Sequence, residues 1–491
     1  MKRKITVLIT CIMAFLLVFS LTGCGGTQNK DKSKIIDEKT FVDDMGNKFT
    51  IDKPYSRIVS LYSAHTENLY TIGAGDKLIG AHKTSIYPPE AAFLPRYDYK
   101  GDPEKLIAAE PDLVIARPFV NRNYPEYIEA LEKAGLTVVS LYPASNDCFE
   151  KYVTILGMLT GKEKEVEAEL VKLDERIKAI HNKVKDIPEK DKKTAFFEAT
   201  QTQYRTVTTD SNPAKAIELA GGINIASDVK PIERGSTIAE FGLENIMLNA
   251  DNIDVYISQR GAMNGGGSIL SIEQRKGFDA VKAVREGKIL ELNEKLISSP
   301  TFRYYKGVNE IARLLYPEIM DDYSEYNNDE PVTREDYAVL TVKMTHVPVF
   351  VPASSHYYET KYYNHTYGMY EDIPWDYSNF DLIETASTNS FIKGFKKKDG
   401  TEYFDKDKEV TRENLAFTLY MMLDIGKTES LTPVKDLSQC ENADIVQKIV
   451  SKDLMKLDSN GNFNPESKVT GKEVIETIIN GMEKFTYTNR S

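Results

Sequence analysis

The sequence predicts two α/β lobes joined by one long helix, followed by a mainly helical repeat module. Three observations lead there. Short apolar strand candidates alternate with amphipathic helix candidates on both sides of residues 147–184, the order that buries a parallel sheet under helices. Residues 147–184 themselves hold no proline and only Gly157 and Gly161 as breakers, so they read as one helix. Beyond the acidic, polar stretch Asp321–Glu330 a Val-Thr start signal recurs at Val332, Val410 and Val469.

The elements follow in chain order. Phe41–Ile51 alternates around Met45-Gly46-Asn47 and reads as a hairpin. Strands are expected at Arg57–Leu61, Leu78–Ala81, Asp112–Ala116 and Thr137–Leu141, with helices at Thr66–Gly73, Pro103–Ala109 and Tyr124–Ala134. Lobe one is therefore expected at 41–146 and the linking helix at 147–184, up to about 50 Å long at ~1.5 Å per residue. The alternation restarts with strands at Lys193–Ala199, Asp254–Ser258 and Lys288–Leu292 and helices at Ala214–Ala220 and Val308–Tyr316, giving lobe two at 185–320. Residues 321–330 read as a linker and 331–491 as the repeat module, where Thr333, Thr411 and Thr470 are placed to cap helices. The Tyr- and His-rich segment Thr345–Tyr377 yields no secondary structure.

A chain of 491 residues holds about three domains' worth of sequence. With 41% apolar and 28% charged residues it is neither globally disordered nor a polytopic membrane protein. The formal charge of -12 argues against nucleic acid as a partner, and an anionic ligand would need a local cluster of cations.

Met1–Gly23 opens with Lys2, Arg3 and Lys4, runs through apolar Ile5–Leu21 and ends at Leu21-Thr22-Gly23-Cys24, the layout of an export signal. A transmembrane anchor is the alternative, although the apolar run is shorter than the ~20 residues a span requires. Leu-Thr-Gly-Cys resembles the lipobox of bacterial lipoproteins. That resemblance implies a diacylated Cys24, a flexible tether over 24–40 and a protein held by its lipid on the outer face of the membrane. Cys148 and Cys440 then remain, too few for a disulfide framework. The six histidines form no His-x-x-x-His or His-Glu-x-x-His pattern, so no metal site is expected.

Ligands of open α/β sheets sit outside the carboxyl ends of the strands. That rule singles out Tyr62, Ser63 and His65; His82, Ser85 and Tyr87; Arg117 and Phe119; Gln203, Tyr204 and Arg205; and Gln259 and Arg260. Arg117, Arg205 and Arg260 follow three separate strands, and three guanidiniums suit a bulky polyanion rich in oxygen acceptors. Tyr62, Tyr87, Phe119 and Tyr204 are placed to pack against flat rings. His65 and His82 are either iron ligands or hydrogen-bonding residues of the fold. Gly261–Gly267 lacks the phosphate-loop pattern and reads as a flexible cleft loop. Asp458–Gly461 lacks the alternating acids of a calcium loop.

The residues Asp43-Asp44…Gly46, Pro54…Arg57–Leu61, Thr66-Glu67…Gly73–Gly80, Tyr87-Pro88 and Glu104…Glu110–Ala116 resemble the substrate-binding proteins of ATP-binding-cassette (ABC) importers for iron-siderophores, haem and cobalamin. The resemblance covers about Thr40 to Glu318. It implies a class III solute-binding fold without catalysis or cofactor, ligand capture between the lobes with small closure, and delivery to an ABC permease. It also implies docking on permease arginines through Glu104 and Glu244, one per lobe. The spacing of Arg117, Arg205 and Arg260 is similar to the arginine triad of members that carry ferric tris-catecholates. A ferric siderophore is therefore the expected ligand, with haem or cobalamin the alternative.

Tyr370–Ile373, Ile383–Ala386, Phe391–Phe395, Asp399–Thr401, Val410–Glu413 and Val434–Leu437 resemble S-layer homology repeats. Here the resemblance implies binding of cell-wall polysaccharide through the Thr-Arg pairs at Arg334 and Arg412, with Gly471 in the third copy. A helical spacer is the alternative. A monomer is expected, and no nucleophile, base and orienter set suggests an enzyme. The rival of another class is a structural or adhesive surface protein built on a degenerate binding lobe.

Overall fold

The structure is a computed structural model describing residues 33–143, 148–233, 236–261, 263–349, 369–428 and 430–487. The signal segment, Cys24, most of the tether and residues 350–368 lie outside the described residues. By packing, the chain divides into two compact units. One comprises residues up to Ser85, 94–178 and 192–307; the other comprises 86–93, 179–191 and 308 onward.

In the first unit, β1 (Lys34–Ile35), β2 (Thr40–Val42) and β3 (Lys48–Thr50) make an antiparallel sheet. The end of the expected tether is therefore folded. Ile35 pairs with Phe41, Phe41 is buried and stacks on Phe49 at 5.4 Å, and the Ser33 amide donates to Asp44 Oδ1 at 3.0 Å. Lobe one continues with β4 (Ile58–Ser60), β5 (Leu78–His82), β6 (Arg96–Tyr97), β7 (Leu113–Ala116) and β8 (Val138–Ser140), a parallel sheet in the order β6-β5-β4-β7-β8. Its central strands β4 and β7 are buried along their whole length, which is why they read as unbroken apolar runs.

Lobe two holds β9 (Thr194–Glu198), β10 (Thr206–Val207), β11 (Ile223–Asn224), β12 (Ile238–Ala239), β13 (Val255–Arg260) and β14 (Ile289–Asn293). Four of these form a parallel sheet in the order β11-β9-β13-β14, and β10 pairs with β12. The expected single linking helix is two helices, Phe149–Thr160 and Glu163–Val184. Gly161 ends the first in the left-handed conformation at φ 68°, a conformation that favours glycine. Gly157 permits the tight corner, since a Cβ there would lie 3.0 Å from Val166 Cγ2.

The lobes are joined a second time. The chain after β14 returns to lobe one, where Arg303 Nε and Nη2 donate to Glu67 Oε1 and Oε2 at 2.6 and 2.7 Å. Both side chains are buried. Asn68 donates to Pro300 O at 2.9 Å, and Phe302 packs edge-on against Phe149 at 5.1 Å in the lobe-one core.

In the second unit the three start signals close a ring. The Val332 amide donates to Val469 O, Val469 to Val410 O and Val410 to Val332 O, at 3.1, 3.1 and 3.0 Å. Thr333, Thr411 and Thr470 each cap the helix that follows. Residues 308–320, expected in lobe two, belong to this unit, and the expected linker 321–330 is packed. Asp321 is buried; it accepts from Arg313 Nε at 2.7 Å and pairs with His346 Nδ1 at 2.9 Å. Asn328 O and Glu330 O accept from the amides of Lys472 and Gly471.

Breaking a buried, bidentate ion pair strands a charge in a dry site. Arg303→Met should therefore destabilise the first unit by about 3–5 kcal/mol, whereas Lys178→Met, from an exposed pair with Asp174, should cost under about 1 kcal/mol. Urea unfolding followed by circular dichroism measures both.

Candidate ligand-binding cleft

The segments that follow β4 and β5 in lobe one meet the segment that follows β14 in lobe two. Lys295 Nζ reaches across to Thr84 O at 3.3 Å, and Ser299 lies within hydrogen-bonding reach of the Tyr62 hydroxyl. Burial holds that hydroxyl neutral, far above the usual tyrosine value, with Tyr142 adding to the effect and Arg117 opposing it.

Lobe one lines its side with aromatic rings. Arg117 follows β7, and its guanidinium lies 4.7 Å from the Tyr62 ring centroid and 4.8 Å from that of Phe119. Its Nε is buried without a hydrogen-bond partner. Two ring faces hold this cation in place, an arrangement worth about 0.5–2 kcal/mol. Phe119 continues to Tyr99 and Tyr124, each at 6.2 Å, and Tyr99 stacks on His82 at 5.0 Å. Tyr142 stands 6.1 Å from Tyr62. The sequence reading missed Tyr99, Tyr124 and Tyr142. Tyr99 and Tyr142 each lie two residues past a strand, so the carboxyl-end rule finds Tyr142 at once and Tyr99 once the two-residue β6 is recognised.

Lobe two presents its cations differently. Arg260 Nε pairs with Glu291 Oε2 at 3.1 Å, and its Nη1 donates to Gly265 O at 2.6 Å. Arg205 Nη2 donates to Gln203 Oε1 at 2.6 Å, while its Nε is buried without a partner. Glu294 lies against Gly261, where a Cβ would meet its carboxyl oxygen at 2.1 Å, and acts electrostatically on Tyr62. The three arginines are thus no free cationic triad, because two carboxylates sit among them. Tyr204 is turned toward lobe two's own core, against Phe278 at 5.8 Å and Arg275 at 5.5 Å. The glycine-rich loop expected to be flexible is pinned by the buried Asn264. That side chain accepts from the Gln201 amide at 2.8 Å and donates to Glu198 Oε1 at 3.0 Å.

Several expected ligand residues serve the fold. His65 is fully buried and uses both ring nitrogens. Ala116 O can only accept, so Nε2 donates to it at 3.0 Å, and Nδ1 accepts from the Tyr152 hydroxyl at 2.6 Å. Burial pushes its pKa down to about 3. His82 bonds Thr84 Oγ1 at 2.8 Å and is pushed down to about 4, burial outweighing the nearby Asp98. Tyr87 belongs to the other unit, where it is buried with its ring 5.8 Å from Trp375. Glu104 and Glu244 are exposed in the first turns of short helices, one per lobe. Among the described residues no cluster of His, Cys, Asp and Glu is built to hold a metal.

The module's arginines are structural as well. Arg334 is buried, donating to Phe404 O and Lys393 O at 2.7 and 2.6 Å. Arg412 repeats this with Phe463 O and Lys456 O at 3.0 and 2.8 Å and adds an ion pair to Glu473. At Gly471 a Cβ would stand 1.9 Å from Tyr326 O, so the third copy has exchanged its arginine for room.

Residues 58–296 match the periplasmic binding protein family, and 435–475 match the S-layer homology domain. Residues 58–296 are a periplasmic binding protein domain. Its two parallel-sheet lobes with a helical link are the class III fold expected from the sequence. The chain is similar to the uncharacterized ABC transporter substrate-binding lipoprotein YvrC of Bacillus subtilis, 26% identical over 65% of this chain and 99% of that one. It is also similar to the vitamin B12-binding protein of Vibrio campbellii, 26% identical over 53% of this chain and 89% of that one. Among solved structures, a possible iron-binding periplasmic solute-binding protein from Staphylococcus epidermidis covers 54% of this chain and 100% of its own, at 25% identity and a TM-score of 0.47. The chain therefore carries a periplasmic binding protein domain and an S-layer homology domain, and is similar to substrate-binding components of ABC transporters.

The depressed His65 pKa makes a pH prediction. Unfolded, this histidine titrates near its ordinary ~6.5; folded, it stays neutral down to about 3. The unfolded state takes the proton first, so stability present above pH ~6.5 is lost progressively as the pH falls toward 3. His65→Gln should flatten that decline, read from urea midpoints between pH 7 and pH 4.

Proposed function

We propose that the cleft captures a corrinoid, a flat metal chelate fringed with carboxamides and low in net charge, for delivery to an ABC permease. The observation that carries this reading is the Arg260–Glu291 ion pair with Glu294 beside it. A trivalent anion would meet two carboxylates there, and like charges brought together in a partly dry cleft cost more than one neutralised arginine returns. A ligand of low charge leaves the pair intact and gains from the ring faces of Tyr62, Phe119 and Tyr142. The vitamin B12-binding relatives in Vibrio support the same ligand class.

Ferric tris-catecholate is the second reading, favoured by the unpartnered Nε atoms of Arg117 and Arg205. Haem is the third reading: His65 has both ring nitrogens engaged, which leaves the unpartnered Nε2 of His82 as the one candidate iron ligand of the two. In the same proposal Cys24 carries the lipid, Glu104 and Glu244 dock on the permease, and the C-terminal module attaches to wall polysaccharide. Arg334 and Arg412 would shape that module's surface rather than touch the polymer.

Calorimetric titration of residues 25–491 with cyanocobalamin, ferric tris-catecholate, ferric hydroxamate and haemin tests the ligand. Cyanocobalamin should bind tightest, and Arg117→Ala should weaken it at least tenfold, about 1.4 kcal/mol. Tight tris-catecholate binding without cobalamin binding would restore the arginine triad; binding of none of the four would favour an adhesive surface protein. Glu104→Ala should leave affinity within twofold of wild type while lowering cellular uptake of labelled ligand, because rim charges set docking and encounter rather than ligand affinity.

A further inference from the structure

Gln203 enters the cleft as the acceptor for Arg205, and the chain is strained to present it. The Ala199 amide donates to Arg205 O and the Arg205 amide to Thr200 O, both at 3.0 Å, and the Tyr204 amide donates to Gln201 O at 3.1 Å. These bonds close the segment after β9 into a tight loop. Inside it two successive non-glycine residues are left-handed, Gln203 at φ 59° and Tyr204 at φ 49°. Such backbone persists only where its surroundings impose it. Three contacts do so here: the Thr200–Arg205 bridge, the Asn264 side chain holding the Gln201 amide, and the Tyr204 ring lodged against Phe278 and Arg275. With Tyr204 turned inward, Gln203 is left exposed at the carboxyl end of β9.

Its chemistry is fixed by its neighbour. A guanidinium only donates, so the atom that accepts from Arg205 Nη2 at 2.6 Å is the Gln203 amide oxygen. The amide NH2, with two donors, is what remains for a ligand, beside the Nη end of the Arg205 guanidinium. We propose that Gln203 is a ligand-selecting residue of lobe two, presenting with Arg205 an edge of donors that reads carbonyl oxygens on the rim of the bound ligand. The proposal rests on the corrinoid reading above, whose carboxamide fringe supplies such oxygens. It goes beyond that reading by assigning the contact to a residue outside the arginine set.

Gln203→Glu separates reading from support. Glutamate keeps an acceptor for Arg205, and so keeps the loop, but it removes both amide donors and adds an anion. Binding of cyanocobalamin, measured by calorimetry on residues 25–491, should weaken at least tenfold with the melting temperature unchanged. Gln203→Gly, which relieves the left-handed strain, should weaken binding similarly while raising the melting temperature. Wild-type affinity, within twofold, in either folded variant would overturn the assignment. Failure of the wild-type protein to bind cyanocobalamin would instead overturn the corrinoid reading on which the assignment stands.

Discussion

The Glu67–Arg303 pair is the interaction on which the binding cleft depends. Residue 303 comes after the last strand of lobe two, and residue 67 lies on the first helix of lobe one, so their two charge-assisted bonds tie the lobes together at a second point besides the helical link. A buried pair of this kind gains little over an apolar contact in stability, but its planar fork fixes position. Tyr62 immediately precedes the clamped helix and Ser299 lies just ahead of the clamped segment, so the clamp sets the two carboxyl edges opposite each other. The helix Phe149–Thr160 reinforces this, because the Tyr152 hydroxyl accepts from Asn68 and donates to His65. Two crossings leave the lobes little freedom to swing apart, consistent with small closure rather than a wide clamshell.

Within that frame the decisive quantity is which charges are already satisfied. Arg117 is held by ring faces, Arg205 by a neutral amide and Arg260 by a carboxylate, so three residues of one type offer a ligand three different things. A charge count along the chain weighs them equally. Their partners, Glu291, Gln203, Tyr62 and Phe119, decide how much positive field remains.

Much of the fold was legible because its strands are buried on both faces. Ile58-Val59, Leu113–Ala116 and Val255–Ile257 stand out as apolar runs, whereas the two-residue strands β6 and β11 are too short to leave a pattern. The break at Gly161 was marked by the glycine itself, but only the packing of Gly157 on Val166 turns it into a corner. The cleft was legible as a set of strand ends and not as a set of roles. His65 sits in the first turn of a helix buried continuously from Ala64 to Leu69, and its distant partner Tyr152 carries no local signal. Arg334 likewise looked available because the carbonyls it satisfies, at Phe404 and Lys393, are 70 and 59 residues away. Gly471 was noticed as a missing arginine; the reason, the Tyr326 carbonyl filling its place, belongs to a stretch that composition marked only as polar.

The valine ring gives the C-terminal module a property its linear repeats conceal. In a stacked array each copy touches only its neighbours, and end copies fray or can be trimmed one at a time. Here the third start signal bonds back to the first, so no copy is an end copy. Removing one leaves an amide at one remaining valine and a carbonyl at another without partners in the core. Shortened, such a module would lose the closure that these three bonds provide. Its order along the chain is also a matter of where the chain happens to be cut: a version with its ends rejoined and opened between two other copies would keep all three bonds.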